Sequence, residues 1–432
     1  MHKNMIITYP NGHTDADLDA LVEKYLYQNP VIRHNKCYFE YNRNKGIWIA
    51  SDIDEIKLKA SKYFKRITQH EWWSKYERNL EVKLKVAIED VNEMSSPENY
   101  ICLKNGVLDI VNGALMKFDM NYYFTSSFPV IYDEHAKCPK FLRFLKQITC
   151  NKKDRWYSLA EFMGLSLTKE KGSDRALVLL GSGQNGKSVF RRILCGLLGS
   201  DNYTSITLKE LSNFGTGNLE GKHLVIMDEA SKKTLSNLMT DEMKQLVSGE
   251  DMEGRTKYIQ NRTIRPFAKV LLLTNHRLSF VDDSTEGALR RLLIIPFEYH
   301  VPDKERDIEL EKKLLSEKSG ILNLAIQGYQ RLMENNYIFS CKPESDRIIK
   351  EMLMNENPMG SFIRERIENS NGSHITYSEF KKEYKKWCEK KDIHVGIMDS
   401  KEIYNEVREH FNIIRWRSDS KRGMKNISWK QK

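Results

Sequence analysis

Gly181-Ser182-Gly183-Gln184-Asn185-Gly186-Lys187-Ser188 sets glycines, a lysine and a hydroxyl at the spacing G-x-x-x-x-G-K-S. Glycines there let a backbone wrap a polyphosphate with its N–H groups turned inward. A lysine in the Lys187 place reaches the β- and γ-phosphates, and a Ser188 hydroxyl ligates Mg²⁺. The chemistry implied is binding of a nucleoside triphosphate such as ATP with Mg²⁺. Two further polar pairs follow, Asp228-Glu229 and Thr274-Asn275. Asp228 would hold the metal together with Ser188, Glu229 would polarise the attacking water, and Asn275 would orient that water or sense the γ-phosphate. Taken singly, Asp228-Glu229 also reads as a solvated strand end and Asn275 as a turn residue. Their order and spacing favour the joint reading.

Each group follows an apolar run: Ala176–Leu180, Leu224–Met227 and Val270–Leu273. Runs without alternation suit strands buried on both faces of a parallel sheet, whose ligands bind at the carboxyl ends. Beyond Lys187, Val189, Phe190, Ile193, Leu194 and Leu197 recur on one helical face. That helix would turn its positive end to the phosphates.

An arginine pair, Arg290-Arg291, leads into another apolar run ending at Pro296-Phe297. Charge at that position suits an arginine finger, a group often supplied in trans, and the alternative is a strand-edge salt bridge. Between Ser248 and Arg265 turn residues alternate with Arg255, Lys257, Tyr258 and Arg262, as in a hairpin with a cationic tip. Basic and aromatic residues on a protruding loop suit single-stranded DNA, against the alternative of a solvated hairpin.

The 432 residues suffice for two to four domains, and the formal net charge of +10 suits contact with a polyanion. No apolar run reaches membrane-spanning length, and the start of the chain lacks the apolar core of a secretory signal. Seven scattered cysteines without a C-x-x-C pair read as reduced thiols of a cytoplasmic protein, with no structural zinc site.

Along the chain, residues 1–95 read as a small α/β unit. In it Thr14 is expected to cap a helix carrying Leu18, Leu21, Val22 and Tyr25, and Cys37–Ala50 to form a hairpin. Helical patterns continue through Trp72 and Trp73 to Glu93. At the other end, Tyr377, Phe380, Tyr384, Trp387 and Cys388 make an apolar stripe among lysines. Ser400 is expected to cap a helix with Ile403 and Val407, and Lys421-Arg422 to form the basic tip of a strand–turn–strand. Helix, helix, helix and hairpin together read as a winged helix that grips duplex DNA, an origin included, with a docking domain as the alternative.

The motifs together resemble superfamily 3 helicases, in particular the primase–helicase carboxyl-terminal family of phages, plasmids and poxviruses. The resemblance covers roughly residues 95–300. It rests on Leu103–Asp109, Cys138-Pro139, Gly181–Ser188, Asp228-Glu229, Lys244 with Ser248–Asp251, Thr274-Asn275 and Arg290–Phe297. It implies an AAA+-like P-loop ATPase that works as a homohexameric ring around DNA, moves 3′ to 5′, and sends Arg290 across subunit borders. Lys257 and Tyr258 would then face DNA in the central channel. The expected order is an accessory or loading domain (1–95), a helical connecting domain (96–171), the ATPase (172–300), a helical linker (301–354) and a winged helix (355–432). The first 95 residues leave no room for a primase domain, so priming or loading would fall to a separate protein. The expected activity is that of a replicative DNA helicase in a bacterial host cell. An origin-binding initiator that melts DNA without processive unwinding is the alternative, and a phosphotransferase is disfavoured by Asn275 and Arg290.

Overall fold

The computed structural model describes residues 6–11, 14–68, 74–213, 216–228, 241–256, 259–275, 289–302, 304, 306–391, 393 and 398–430. The N-terminal unit opens with the antiparallel pair β1 (Ile6–Thr8) and β2 (Thr14–Ala16), followed by α1 (Leu18–Gln28). Thr14 is paired within β2 and does not cap the helix. Asp17 is the last extended residue, and its carboxylate accepts the Ala20 N–H over 3.1 Å. β3 (Val31–His34), β4 (Cys37–Asn42) and β5 (Ile47–Ser51) form a meander. After α2 (Ile53–Thr68) and α3 (Ser74–Ala87), β6 (Glu89–Asp90) returns parallel to β3. Trp72 and Trp73 lie outside the described residues. Leu21, Val22, Tyr25, Ile56, Phe64 and Leu80 give this unit its own core.

The next segment begins as a sheet and becomes α-helical only from Pro139. β7 (Tyr100–Leu103), β8 (Gly106–Asp109) and β9 (Leu115–Met116) are antiparallel, the first two joined by the two-residue turn Lys104-Asn105. Helices follow as α4 (Pro139–Ile148) and α5 (Lys153–Leu165).

The central sheet comes from β10 (Ala176–Leu180), α6 (Lys187–Leu198), β11 (Tyr203–Ser205), α7 (Leu208–Asn213), β12 (Leu224–Asp228) and α8 (Asp241–Ser248). An antiparallel hairpin, β13 (Met252–Thr256) and β14 (Ile259–Ile264), precedes β15 (Lys269–Thr274) and β16 (Leu292–Pro296). Five strands pair in parallel in the order β11-β12-β15-β10-β16. Both faces are buried, as the unbroken apolar runs require. Leu177, Leu179, Leu271 and Ile295 point to one core, and Val178, Val270, Leu272 and Ile294 to the other.

Residues 301–354, expected as a linker, are helical but are built into those cores. α9 (Leu310–Leu315) and α10 (Lys318–Glu334) pack into the first, and α11 (Lys342–Glu356) adds Ile349 and Met352 to the second. α10 lies so close to α5 that a Cβ on Gly164 would meet the Ala325 carbonyl oxygen at 2.1 Å. Ile321, Leu322, Tyr329 and Leu332 share the core of Leu177. The fully buried Arg155 of α5 bridges to Glu298 at 2.8 Å and Glu344 of α11 at 2.7 Å. It also donates to the Pro296 carbonyl over 3.1 Å, which joins three layers.

The C-terminal unit comprises α12 (Pro358–Arg366), β17 (Ile367–Thr376), α13 (Tyr377–Lys391), α14 (Ser400–His410), β18 (Ile414–Arg417) and β19 (Arg422–Trp429). The three helices and the hairpin of the expectation are present. β17 is an addition, pairing with β19 so that the sheet runs β17-β19-β18. Ser400 is the first helical residue and not the cap. Asp399 and Glu402 satisfy each other's backbone N–H groups in a reciprocal capping box.

Candidate functional site

The register of the parallel sheet places the chain exits of three strands at one level. Leu180 pairs with Thr274 on one side and with Pro296 on the other. Gly181, Asn275 and Phe297 therefore leave the sheet together. The Gly181 N–H donates to the Thr274 carbonyl at 3.1 Å, and the Phe297 N–H to the Leu180 carbonyl at 2.7 Å.

The loop between β10 and α6 needs left-handed backbone at Gly183 (φ +100°) and Gly186 (φ +88°), and Gln184 joins them at φ +47°. Glycine is the residue that takes such angles without a Cβ penalty. Lys187 opens α6, yet its side chain folds back and is buried. Its ammonium donates to the Gly181 carbonyl at 2.6 Å, to Asn185 Oδ1 at 3.1 Å and to Asn275 Oδ1 at 3.0 Å. Asn185 in turn donates to the Phe297 carbonyl over 3.1 Å. Gly181 is tightly enclosed, since a Cβ there would lie 2.1 Å from Asn185 Nδ2 and 2.6 Å from the Phe297 oxygen. Ser182, Gln184 and Ser188 are exposed at the loop. The cradle thus combines a buried cation, a glycine backbone and a helix N-terminus, a donor set that fits a polyphosphate.

A cleft of about 660 Å³ opens beside the loop, walled by Gly183–Val189, by Phe144, Gln147 and Ile148 of α4, and by Tyr299, Val301 and Ile308. A second hollow of about 410 Å³ lies on the far side of Gly181 and Asn275, beside Arg347 of α11.

Asp228 ends β12 opposite Leu273, within the row of strand exits. Its side chain lies outside the described residues, as do Glu229, Lys257 and Tyr258 altogether. The backbones of Arg255 and Arg262 belong to β13 and β14, and their side chains are likewise outside. Among the described residues no group of three or more His, Cys, Asp or Glu side chains is disposed to hold a metal.

Arg290 and Arg291 stand at the opposite end of the sheet. Leu292 pairs with Ala176, and the Arg291 carbonyl accepts the Ala176 N–H at 2.8 Å. At about 3.3 Å per residue, Arg290 is roughly 20 Å from the loop of its own chain, beyond the reach of its side chain. Arg290 is exposed, whereas Arg291 Nε donates to Ser248 Oγ at 3.3 Å. Lys421 and Arg422 are exposed at the β18–β19 turn.

Several residues that shape this region carry no motif. Lys171 Nζ donates to the Leu246 carbonyl of α8 at 2.6 Å and to the Ala268 carbonyl, between β14 and β15, at 2.8 Å, so it joins the segments on either side of the β13–β14 hairpin. Burial lowers its pKa from 10.5 to about 8. Lys269, at the start of β15, donates to the Thr168 carbonyl at 2.6 Å, and burial holds it well below its ordinary value. His223 is buried between the Phe128 and Phe267 rings, which pushes it down to about 3. The one sequence signal for such residues is charge inside an apolar helical pattern, as at Arg155 and Glu161 in α5.

No helix among the described residues is long and apolar enough to cross a membrane. Residues 21–150 match the D5 N terminal like family, and residues 179–291 match a family of unknown function, DUF5906. The apo structure of the NrS-1 C-terminal region (305–718) is similar over 96% of this chain and 100% of that one, at 12% identity and a TM-score of 0.56. Its A form is similar over 95% and 100%, at 13% identity and a TM-score of 0.55. The chain is therefore similar to the D5 N terminal like family ahead of a stretch similar to DUF5906, on a fold like that of the NrS-1 C-terminal region.

Proposed function

We propose that this chain is an ATP-hydrolysing DNA helicase of the phage and viral primase–helicase type within superfamily 3. It would be a replicative motor. The observation that carries the reading is the Lys187 ammonium, held among Gly181, Asn185 and Asn275 oxygens at the level where three parallel strands end. The D5 N terminal like match and the shared NrS-1 C-terminal fold support a replication protein of this kind.

In this reading residues 181–188 bind the triphosphate of ATP, and Lys187 neutralises charge on its β- and γ-phosphates. Ser188 and Asp228 would hold Mg²⁺, which when bound would supply further charge neutralisation to the transferring group. Glu229 orients and polarises the attacking water, and Asn275 fixes that water relative to Lys187. Arg290 is about 20 Å from its own loop, so as a finger it serves the neighbouring subunit of a ring, a homohexamer, with Arg291 positioned against Ser248. Arg255, Lys257, Tyr258 and Arg262 on the hairpin contact single-stranded DNA in the channel. The C-terminal unit acts as a winged helix whose Lys421 and Arg422 meet duplex DNA. The work would be done in the cytoplasm of a bacterial host, with a separate primase or loading protein.

The test is strand displacement on forked DNA with ATP, beside an Asp228→Ala/Glu229→Ala variant. Release of a strand by the wild type alone supports the motor. ATP hydrolysis and DNA binding without release would replace it by an initiator that only melts or loads.

A further inference from the structure

The outer face of the C-terminal sheet carries chemistry that neither the glycine loop nor the basic turn uses. In the order β17-β19-β18, residues opposite one another on antiparallel neighbours share a face. Ile375 and Met424 are opposite one another and fully buried in the core of this unit. Arg415 completes their row, with its guanidinium over the Tyr404 ring of α14 at 4.9 Å. The adjacent row of His374, Lys425 and Ile414 therefore points outward, and Trp416 lies two residues beyond Ile414 on the same side. His374 is exposed and Ile414 is 53% exposed, so this face is open to solvent.

The Trp416 and His374 rings stack across β19, with centroids 3.8 Å apart and planes at 19°. Opposite Trp416, β19 offers only Gly423, which leaves room for the two rings to meet. A ring clamped in such a stack loses its rotamer freedom on folding and not on binding. The carboxylates nearby are occupied or remote. Glu379 accepts from the Thr376 N–H at 3.0 Å and from its hydroxyl at 2.8 Å. Glu368 lies opposite Ser428 at the other end of β19, and Asp419 sits in the turn among Arg417, Lys421 and Arg422. Residues 401–432 hold nine Lys and Arg against four Asp and Glu, so an anionic occupant suits this surface.

We propose that this face binds single-stranded DNA, with a base stacked on the Trp416–His374 pair, Ile414 extending the apolar surface and Lys425 on an adjoining phosphate. Duplex DNA presents base edges and keeps base faces stacked on one another, so a flat platform of rings has nothing to engage there. A single strand exposes those faces, and aromatic rings beside cations hold them without regard to sequence. The choice of DNA rests on the reading that Lys421 and Arg422 meet duplex DNA. Those two residues end the same pair of strands, so a strand parted from that duplex would pass over the platform.

The experiment uses the full chain without nucleotide and a dT oligonucleotide carrying 5-iodouracil, whose photoadducts are mapped by peptide mass spectrometry. Affinities are measured beside it for dT, for an abasic strand of equal length and for a duplex. The wild type should crosslink at Trp416 or His374 and prefer dT to the abasic strand by about tenfold, the size of one stacked base. Trp416→Ala should lose the adduct and weaken dT binding by about tenfold, Trp416→Phe should restore most of it, and duplex binding should stay unchanged in both. Lys425→Ala should lower the salt slope for the single strand by about 0.7, as for one phosphate contact. Adducts confined to other segments, or equal loss of single-strand and duplex binding in Trp416→Ala, would overturn the platform. Unchanged DNA binding with smaller assemblies in Trp416→Ala would give the face to a second copy of the chain instead. A Trp416 adduct together with duplex binding unmoved by Lys421→Ala/Arg422→Ala would support the platform and overturn the duplex reading alone.

Discussion

Lys187 Nζ and Asn275 Oδ1 are 3.0 Å apart, so a hydrogen bond ties the glycine loop to the tip of the neighbouring strand. The ammonium is thereby held in place, and on the proposed function an incoming phosphate would exchange neutral oxygens for charged ones. Lys187→Ala should lower ATP turnover by roughly 10²–10³-fold or more, as expected for loss of a preorganised charge. Asn275→Ala should lower kcat by about tenfold or more while KM changes little, because its oxygen orients rather than binds. Steady-state phosphate release measures both. A rise in KM alone for Asn275→Ala would assign that residue to ground-state binding.

The position of Arg290 at the amino edge of the sheet leads to a mixing experiment. Arg290→Ala and Glu229→Gln proteins should each be inactive alone. Combined, they should regain part of the ATPase activity, since some neighbouring pairs then contain one intact site. Absence of any rescue across mixing ratios would place Arg290 outside the reaction.

The hairpin and the C-terminal turn should separate by function. Lys257→Ala is expected to keep basal ATPase and lose strand displacement. Lys421→Ala/Arg422→Ala should instead weaken duplex binding and reduce the salt dependence by about two phosphate contacts. Unwinding retained by Lys257→Ala would remove the hairpin tip from the mechanism. Binding titrations at several salt concentrations measure the second effect.

Lys171 links pH to the hairpin. Its folded pKa of about 8 lies below the ordinary 10.5, so the unfolded chain binds more protons between these values. The cost of burying the ammonium is complete below pH 8 and is relieved as the pH rises from 8 to 10.5. Relative to Lys171→Met, the wild type should gain up to about 3 kcal/mol over that window, from a shift of about 2.5 units. Paired urea titrations at pH 7.5 and pH 10 measure the gain. Lys171→Met should also lose coupling between DNA binding and hydrolysis, because the link between α8 and the segment that follows β14 is lost.

Arg155 should prove structural. Removing it by Arg155→Met leaves Glu298 and Glu344 with only the half-exposed Lys152, at 3.6 and 3.5 Å, as a shared cation and leaves the Pro296 carbonyl without its donor, at a cost of about 1–3 kcal/mol. Arg155 holds both carboxyl groups below their ordinary 4.5. The wild type therefore keeps this contribution above pH 4.5 and loses it as the pH falls through the depressed values. Thermal melts from pH 6 to pH 3 should show a steeper acid loss for the wild type than for the variant.

The expectations that failed did so for local reasons. Thr14 and Ser400 are good capping residues, but Asp17 and Asp399 are equally good, and the chain's turn from extended to helical backbone decides between them. β17 was hidden because Glu368–His374 carries neither a period of two nor one of 3.6. Pairing with β19, across a bulge between Asn369 and His374, makes it a strand. Residues 301–354 read as a linker because their apolar positions fit any amphipathic helix. Only the close approach at Gly164 shows what they cover.

Local chemistry along the chain was enough to specify the glycine loop, the buried strands that frame it and the helix that starts at Lys187. Each depends on spacing within about a dozen residues. Tertiary structure decided which polar groups meet, since that depends on register and on contacts between distant segments. It brought Asn275 to Lys187 across 88 positions and Gln147 to Tyr299 across 152, and it set Arg290 at the far edge of the sheet. Those placements follow from the parallel pairing of β10 with β15 and β16. No run of residues encodes that pairing alone, because it forms when both faces of the sheet are covered.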